Sequence, residues 1–279
     1  MKRRWEKDLP RKQYQNYKRV EQSQPWFEVY DLGNQIYAIY EPFQFQEVIS
    51  YFIMCEEKAL LWDTGNGIGN MKQLVNELWD KEVIVVNSHS HFDHIGSNYQ
   101  FDIVHVFEHP TMISTMEKGI EQEILDQNYG PETYSYQSPI AYHPLRYRRC
   151  KYETFKEGTV FDLGRRRFTV IYTPGHSADS IMLVNDEEKL LLTGDTYYPA
   201  QLYCFTEGLF DMYVKTMQML AEVYADYTLM TSHNEPICEG NILIEVSKFF
   251  QKIKNEEISY KTIGNLKEYE WNSFNLLMK

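Results

Sequence analysis

The sequence has few cysteines and lacks the paired spacing in which cysteines bind zinc. Cys55, Cys150, Cys204 and Cys238 are scattered and form no C-x-x-C pair, which argues against a cysteine zinc knuckle. No apolar run approaches the roughly 18 residues that a membrane helix needs. The basic start "MKRRWEKDLPRK" is not followed by an apolar stretch, so we expect no secretory signal. The sequence therefore predicts a cytoplasmic protein with reduced thiols and no membrane association.

Positive charge is also in deficit, since 28 Lys and Arg stand against 40 Asp and Glu, giving a net charge of −12. Such a chain is a poor partner for a phosphate backbone, which disfavours nucleic acid as a ligand. The cations are unevenly placed, in an N-terminal arm at about 1–25 and in groups at 146–151 and 164–168. We interpret the arm as solvated. The two internal groups form either exposed strand faces, which we favour, or an anion-binding rim.

Runs of β-branched and aromatic residues alternate with helical patterns along the chain. Strands are predicted at 34–40, 47–55, 58–65, 82–89, 101–109, 168–175, 180–186, 189–195 and 227–233. Helices are predicted at 69–81, 207–225 and 241–257. Strands followed by helices, repeated in two halves, predict an α/β fold with two sheets and helices outside them. We treat residues 1–279 as a single domain, with an insertion or lid at about 110–150 that is rich in Pro, Tyr and Ser.

The stretch "NSHSHFDHIGSN" at 87–98 places three histidines and an aspartate within six positions. It follows a continuously apolar strand, and residues two apart on a strand share a face, so His89 and His91 point the same way. The chain must then turn, which lets Asp93 and His94 face the same space. One short loop can therefore serve two adjacent metal ions, with one pair of ligands for each.

Three more residues of ligand type follow other apolar strands: His176 after "VIYTPG", Asp195 after "LLLTG" and His233 after "TLMTS". Imidazole and carboxylate ligands without thiolate suit zinc first, and also iron or manganese. The sequence thus predicts two divalent metal ions held by seven ligands. The predicted set is His89, His91 and His176 at the first metal, Asp93, His94 and His233 at the second, and Asp195 between them.

Five short motifs carry a family resemblance: "WDTG" at 62–65, "HSHFDH" at 89–94, "TPGH" at 173–176, "TGD" at 193–195 and "SHN" at 232–234. In these pieces and their order the chain resembles the metallo-β-lactamase-fold hydrolase superfamily, over about residues 30–235. The resemblance implies an αββα sandwich of two mixed β-sheets flanked by helices, with a dinuclear site at one edge. It also implies that Asp63 supports the histidine loop instead of binding metal.

Within that superfamily the chain is most similar to the glyoxalase II-like and lactonase-like branches. Asp195 stands where true β-lactamases of the common type have cysteine. Two cations a few ångströms apart can share a water and lower its pKa, so a bridging hydroxide is the expected nucleophile. Asp93 can orient it and carry a proton to the leaving group.

The expected activity is hydrolysis of an ester, thioester or lactone-like small molecule. Two alternatives stay open: cleavage of phosphodiesters or nucleic acid, and a metal-binding protein without turnover. The ligands do not name the substrate, because one fold hosts many activities.

Aromatic residues near the predicted ligands suggest a substrate wall. Tyr198 lies three residues after Asp195, at an offset where acyl-homoserine-lactone lactonases, which this site resembles, place a tyrosine that hydrogen-bonds the substrate. Its role is either catalytic or plain loop packing. Other aromatics of the insertion and of the loop at 197–210 form either an apolar pocket or a face of a homodimer; they include Tyr134, Tyr136, Tyr142 and Tyr203.

Overall fold

The computed structural model describes residues 5–279, so the first four residues of the expected N-terminal arm lie outside the described residues. The chain divides into two compact units. The first runs up to Lys156 and also takes in Phe161–Arg167, and the second consists of Glu157–Val160 and Phe168–Lys279. The assignment of the whole chain to a single domain stays a prediction. Within residues 5–279, no helix has the length and apolar character needed to cross a membrane.

The first unit is built on one eight-stranded sheet whose spatial order follows the chain. The first to fifth strands pair antiparallel with their neighbours, and the fifth to eighth pair parallel, so the sheet is mixed. The strands are β1 (Lys18–Val20), β2 (Glu28–Gly33), β3 (Ile36–Tyr40), β4 (Ile49–Met54), β5 (Lys58–Trp62), β6 (Glu82–Val86), β7 (Val104–Phe107) and β8 (Tyr152–Phe155). The α-helices of this unit are α1 (Met71–Leu78), α2 (Phe92–Ile95), α3 (Pro110–Lys118) and α4 (Gln122–Asn128).

Helix α1 provides the crossover that two neighbouring parallel strands, β5 and β6, require. Met71, Leu74 and Val75 recur at helical spacing and are buried. The side chain of Asn70 caps the helix by accepting the backbone N–H of Gln73 at 3.0 Å.

The loop between β5 and α1 lies directly against the histidine loop. A Cβ added at Gly67 would lie 2.5 Å from the carbonyl oxygen of Gly96, and the φ of Gly67 is +80°. Only glycine allows this close backbone approach at that conformation. The "DTGNG" segment and the "HSHFDHIG" segment are thereby fixed against each other.

Part of the segment expected to be a solvated arm is structured. Residues of β1 pair with β2, and the ring of Tyr14 packs at 4.6 Å from that of Tyr30 and 4.4 Å from that of Tyr40. Arg11 forms an ion pair with the buried Glu47 at 2.6 Å. Aromatic packing and this ion pair hold the segment to the sheet, against the expectation that it is solvated.

The predicted insertion at 110–150 also contributes to the core of the first unit. Met112 and Met116 of α3, Leu125 of α4, and Tyr129 are all buried there. Residues 141–150 form no helix or strand and are mostly exposed. That the insertion acts as a lid stays a prediction, and it applies to residues 141–150, since the helices of the insertion belong to the core.

The second unit contains most of a six-stranded sheet, although Phe161–Asp162 and Arg167 of this sheet are assigned to the first unit. The spatial order of its strands, whose ranges follow, is β15-β14-β12-β11-β10-β9. Strands β12 and β14 pair parallel, and β10–β11, β11–β12 and β14–β15 pair antiparallel. The strands are β9 (Val160–Asp162), β10 (Arg167–Tyr172), β11 (Ile181–Asn185), β12 (Leu190–Gly194), β14 (Thr228–Thr231) and β15 (Ile237–Glu239). Two helices, α5 (Phe210–Val223) and α6 (Ile242–Lys254), pack on each other.

A small third sheet has the order β13-β18-β17-β16, with β13 (Gln201–Cys204), β16 (Tyr260–Ile263), β17 (Leu266–Trp271) and β18 (Phe274–Met278). The α/β class with two mixed sheets and helices is confirmed, and the third sheet is an addition to it.

The favoured interpretation of the basic groups as exposed strand faces is wrong for residues 146–151, whereas in the group at 164–168 Arg167 begins strand β10 and is exposed. Residues 146–151 lie before β8 and form no strand. Arg166 is only 1% exposed, and its Nη1 lies 3.5 Å from the carbonyl oxygen of Met54. The pattern of charges alone could not show that one arginine of the group at 164–168 is buried.

Candidate metal centre

The histidine loop of the first unit begins where β6 ends and is held by two asparagines. The Asn87 amide donates to the carbonyl oxygen of His94 at 3.1 Å and accepts from the Asn98 amide at 2.8 Å. The Thr64 hydroxyl donates to the side-chain amide oxygen of Asn98 at 2.8 Å. These buried bonds fix the curvature of the loop and therefore the directions of its side chains.

Asp63 makes three contacts at the base of this loop and is fully buried. Its Oδ1 accepts the backbone N–H of Ser88 at 2.7 Å, and its Oδ2 accepts the Ser88 hydroxyl at 2.8 Å. The same Oδ2 lies 2.8 Å from Nδ1 of His94. The Ser88 hydroxyl in turn lies 2.9 Å from Nδ1 of His89. Partners on Nδ1 make Nε2 the atom of each ring that is suited to bind a metal, as in many protein metal sites.

The four loop residues of ligand type lie close together. The rings of His89 and His91 have centroids 4.5 Å apart, and those of His89 and His94 are 4.3 Å apart. A carboxylate oxygen of Asp93 lies 3.7 Å from Nε2 of His94. His89, Asp93 and His94 are buried and His91 is half-buried. The first unit thus brings together four of the seven predicted ligands and the supporting Asp63.

The second unit brings together the other three predicted ligands. One carboxylate oxygen of Asp195 lies 3.4 Å from Nε2 of His176, and the other lies 2.9 Å from Nε2 of His233. Nδ1 of His176 lies 3.2 Å from the carbonyl oxygen of Tyr203, which can accept a hydrogen bond from it. Asp195 therefore stands between two imidazoles, as a carboxylate shared by two metal ions would.

Gly175 shapes the turn before His176. A Cβ at this position would lie 2.2 Å from the ring of Tyr213, whose hydroxyl donates to the carbonyl oxygen of Thr196 at 2.7 Å. The tyrosine therefore ties the turn after β10 to the turn after β12. A glycine before His176 is required because only its lack of a side chain leaves room for the Tyr213 ring.

Tyr198 packs against the second group of ligands. Its ring centroid lies 4.8 Å from that of His233, and its hydroxyl donates to the carbonyl oxygen of Gln201 at 2.8 Å. The side chain is 5% exposed. This geometry favours a packing role in the loop, and the substrate-contacting role stays a prediction.

The aromatic wall expected from the insertion is not uniform. Tyr134 is buried, with its ring 5.8 Å from that of Trp26 and 5.5 Å from that of Tyr142. Tyr136 and Tyr142 are exposed. Tyr134 thus belongs to the core of the first unit, and a pocket wall formed by Tyr136 and Tyr142 stays a prediction.

The donor set fits hard to borderline divalent cations. It consists of histidines and carboxylates, and burial makes carboxylates without a cation beside them unfavourable. Hydrogen-bond partners on Nδ1 also fix the orientation of three of the imidazole rings. None of the predicted ligands is a cysteine. Such residues suit Zn²⁺, and the same chemistry admits iron or manganese.

Sequence analysis missed Glu41, which the structure places behind the "DTGN" segment. This carboxylate is 1% exposed and accepts both the backbone N–H of Asn66, at 2.9 Å, and its amide, at 3.1 Å. Trp26 donates its indole N–H to the same group. Burial raises the pKa of Glu41 to about 7, although these hydrogen bonds act in the opposite direction. A lone acidic residue in the apolar context "IYEPF" was the only available signal.

Comparison with known proteins places the chain in a family. A family model described as the metallo-beta-lactamase superfamily matches residues 47–222. Human acyl-coenzyme A thioesterase MBLAC2 is 28% identical over 200 residues, which are 63% of this chain and 68% of that protein. The atrochrysone carboxyl ACP thioesterase of Aspergillus fumigatus is 25% identical over 157 residues, 55% of this chain and 41% of that protein.

Solved structures agree on the fold. The archaeal metallo-beta-lactamase superfamily protein ST1585 from Sulfolobus tokodaii aligns with a TM-score of 0.56 and 20% identity, covering 84% of this chain and 92% of that one. The family protein TTHA1429 from Thermus thermophilus aligns with a TM-score of 0.58 and 18% identity, covering 82% and 83%. With the family model matching more than half of its residues, the chain belongs to the metallo-beta-lactamase superfamily and is a hydrolase.

Proposed function

We propose that the protein is a dinuclear metal-dependent thioesterase. The observation that carries the proposal is the pair of ligand groups, one in each unit, in which Asp63, Ser88 and the Tyr203 carbonyl hold the Nδ1 side of three histidines. Together the two groups supply seven ligands of the chemistry that the family uses. We assign His89, His91 and His176 to one ion, Asp93, His94 and His233 to the other, and Asp195 to both.

When bound, two divalent cations would supply a water of lowered pKa and would polarise the acyl carbonyl of the substrate. Within the chain, Asp93 would orient that water through its carboxylate and carry a proton towards the departing group. A thiol leaving group has an ordinary pKa of about 8.5 and departs readily as thiolate. This leaving group needs little acid assistance, which suits a site whose acid–base residue is a single buried carboxylate.

The class of substrate is supported by the relatives. Two of them are named for thioester hydrolysis, one on acyl-coenzyme A and one on an acyl carrier protein. The acidic chain, at a net charge of −12, disfavours the nuclease alternative. Asp195, His176 and His233 are all present as expected for a working site, which disfavours the alternative without turnover.

The test is a hydrolase panel on the metal-loaded protein. Release of thiol from a short acyl-coenzyme A would be followed beside hydrolysis of an aryl ester, a lactone and a bis-aryl phosphodiester. We expect the thioester to give the largest kcat/KM. A larger value for the phosphodiester would replace the proposal with the nuclease alternative.

A matched pair of variants ties the activity to the site. His94→Ala should abolish thiol release, because it removes a ligand. His109→Asn should leave it unchanged, because His109 caps α3 by accepting the N–H of Thr111 and asparagine is also a favourable N-cap residue. Equal activity in both variants would contradict the proposed site.

A further inference from the structure

A cleft opens beside the histidine loop within the first unit. It has a volume of ≈ 170 Å³, and its lining includes Asn66 and Gly67 of the loop after β5, Phe92 of the histidine loop, and Tyr129. Complete small-molecule sites occupy about 300–1,000 Å³. The cleft is therefore large enough to hold one chemical group of a larger molecule, and the rest of that molecule would lie outside the cleft.

The cleft is basic, although the protein as a whole is acidic. Arg146 and Arg148 both line it, and no carboxylate is among its lining residues. Within residues 5–279, neither arginine forms an ion pair. Two arginines that line one concave surface without a carboxylate partner indicate a site for an anion.

The segment that carries these arginines is anchored on either side of Arg146. The Gln122 amide donates to the carbonyl oxygen of Leu145 at 2.8 Å. The Tyr147 ring packs on Gly119, where a Cβ would lie 2.8 Å from it. Residues 145 and 147 are thus fixed to the neighbouring helices. The arginines at 146 and 148 alternate with these anchors.

Arg148 is oriented further by an aromatic ring. Its guanidinium carbon lies 4.6 Å from the centroid of Tyr99, a distance at which the cation and the π-face attract each other. This contact holds the guanidinium over the ring, and a guanidinium has five N–H donors that can bind an oxygen ligand. Arginine in this setting recognises phosphate through paired N–H···O bonds.

We propose that this arginine cleft, which Arg146 and Arg148 define, binds a phosphate group of the thiol half of the substrate, a phosphorylated pantetheine. The inference rests on the proposed thioesterase function. Phe92 lines the cleft and lies in the chain between His91 and Asp93, so a molecule held there reaches the ligand loop. Phosphorylated pantetheine occurs both in coenzyme A and on acyl carrier proteins, and the cleft recognises what the two share.

The test measures binding without turnover, on the metal-loaded protein, by calorimetry with S-methyl-coenzyme A. Arg146→Gln and Arg148→Gln should each weaken binding about tenfold, because each removes charge-assisted hydrogen bonds. Arg149→Gln is the matched control, since Arg149 is exposed and adjacent but does not line the cleft. It should change the Kd less than about twofold. Equal Kd values for all three variants would overturn the inference.

Two further ligands separate the sources of the phosphate. S-methyl-pantetheine lacks phosphate and should bind the arginine variants and the unmodified protein equally; an arginine effect on this ligand would contradict phosphate recognition. S-methyl-4′-phosphopantetheine retains the phosphate found on carrier proteins. An arginine effect on this ligand supports the pantetheine phosphate as the bound group, whereas an effect confined to S-methyl-coenzyme A would assign the arginines to the nucleotide phosphates and overturn the pantetheine assignment.

The proposed function is judged separately, with an acyl-N-acetylcysteamine thioester that has no phosphate. Failure to hydrolyse this and every other thioester would refute the thioesterase proposal, whereas the Kd comparison decides the arginine cleft by itself.

Discussion

Replacing Asp63 with asparagine perturbs the base of the candidate metal centre by changing one oxygen to an amide nitrogen. In the folded protein, Oδ2 of Asp63 accepts from the Ser88 hydroxyl and lies against Nδ1 of His94, both at 2.8 Å. Asparagine can keep the Oδ1 bond to the Ser88 backbone, but its NH₂ group then faces two donors. Asp63→Asn therefore sets donor against donor in a fully buried place.

The magnitude follows from the bonds that are lost. Hydrogen bonds to a charged group contribute about 1.5–3 kcal/mol, and a buried polar group without a partner costs about 1–3 kcal/mol. Because the two effects overlap at one atom, we expect the free energy of unfolding of the metal-free protein to fall by about 2–4 kcal/mol. His94 can relieve the clash by moving its proton to Nε2, which removes the lone pair that would bind metal. Loss of such a supporting carboxylate weakens metal binding by about 10–100-fold.

Two assays read these effects independently. Urea unfolding of the metal-free protein gives the stability change, and competition with a chelator gives the metal affinity. Asp102→Asn is the control, since the Asp102 side chain is 98% exposed, and it should leave both quantities unchanged. Metal affinity within about twofold and stability within about 0.5 kcal/mol of the unmodified protein in Asp63→Asn would refute this account of the loop.

Three further changes test other parts of the site. Burial raises the pKa of Glu41 from 4.5 to about 7, so this carboxyl binds a proton more tightly in the folded protein than in the unfolded chain. The metal-free protein should therefore lose roughly 3 kcal/mol of stability as the pH rises from about 4.5 to 7. Urea unfolding of Glu41→Gln should show no such loss in that interval. Tyr198→Phe should retain its metal, and if the hydroxyl contacts substrate its kcat/KM should fall; unchanged kinetics would leave Tyr198 the packing role that its bond to Gln201 favours. His233→Ala should hold one metal ion per chain in place of two by elemental analysis, and retention of both would remove His233 from the ligand set.

The parts of the fold that sequence predicts well are those fixed by their own residues. Helix α1 follows from the spacing of Met71, Leu74 and Val75, and strands such as β5 follow from a continuous apolar run. The histidine loop is equally local, because four ligand-type residues fall within six positions. Local patterns therefore predicted the central strands and the metal-binding stretch.

The parts that sequence missed depend on distant partners. Strand β13 pairs with β18, about seventy residues further along the chain, and neither segment has a pattern that names the other. Strands β9 and β15 have only three residues each, which is too few to recognise an alternation of apolar and polar residues. Side-chain roles also depend on distant partners. The hydrogen-bond partners of Glu41 are Trp26 and Asn66, and Asn66 lies 25 residues away in sequence.

The basic groups illustrate the same limit in electrostatics. Sequence shows arginines at 146–149 and at 165–167 as two similar runs. In the folded chain Arg166 is buried, whereas Arg146 and Arg148 line a cleft. The difference arises from the packing of Tyr147 and Leu145, which charge patterns do not contain.

The most direct test of the central claim is to measure metal content and thioester hydrolysis on the same sample before and after chelation. A dinuclear metal-dependent thioesterase should carry two divalent ions per chain and should lose thiol release when both are removed. Activity should return on adding Zn²⁺, iron or manganese. Undiminished hydrolysis by protein shown by elemental analysis to be free of metal would contradict the claim.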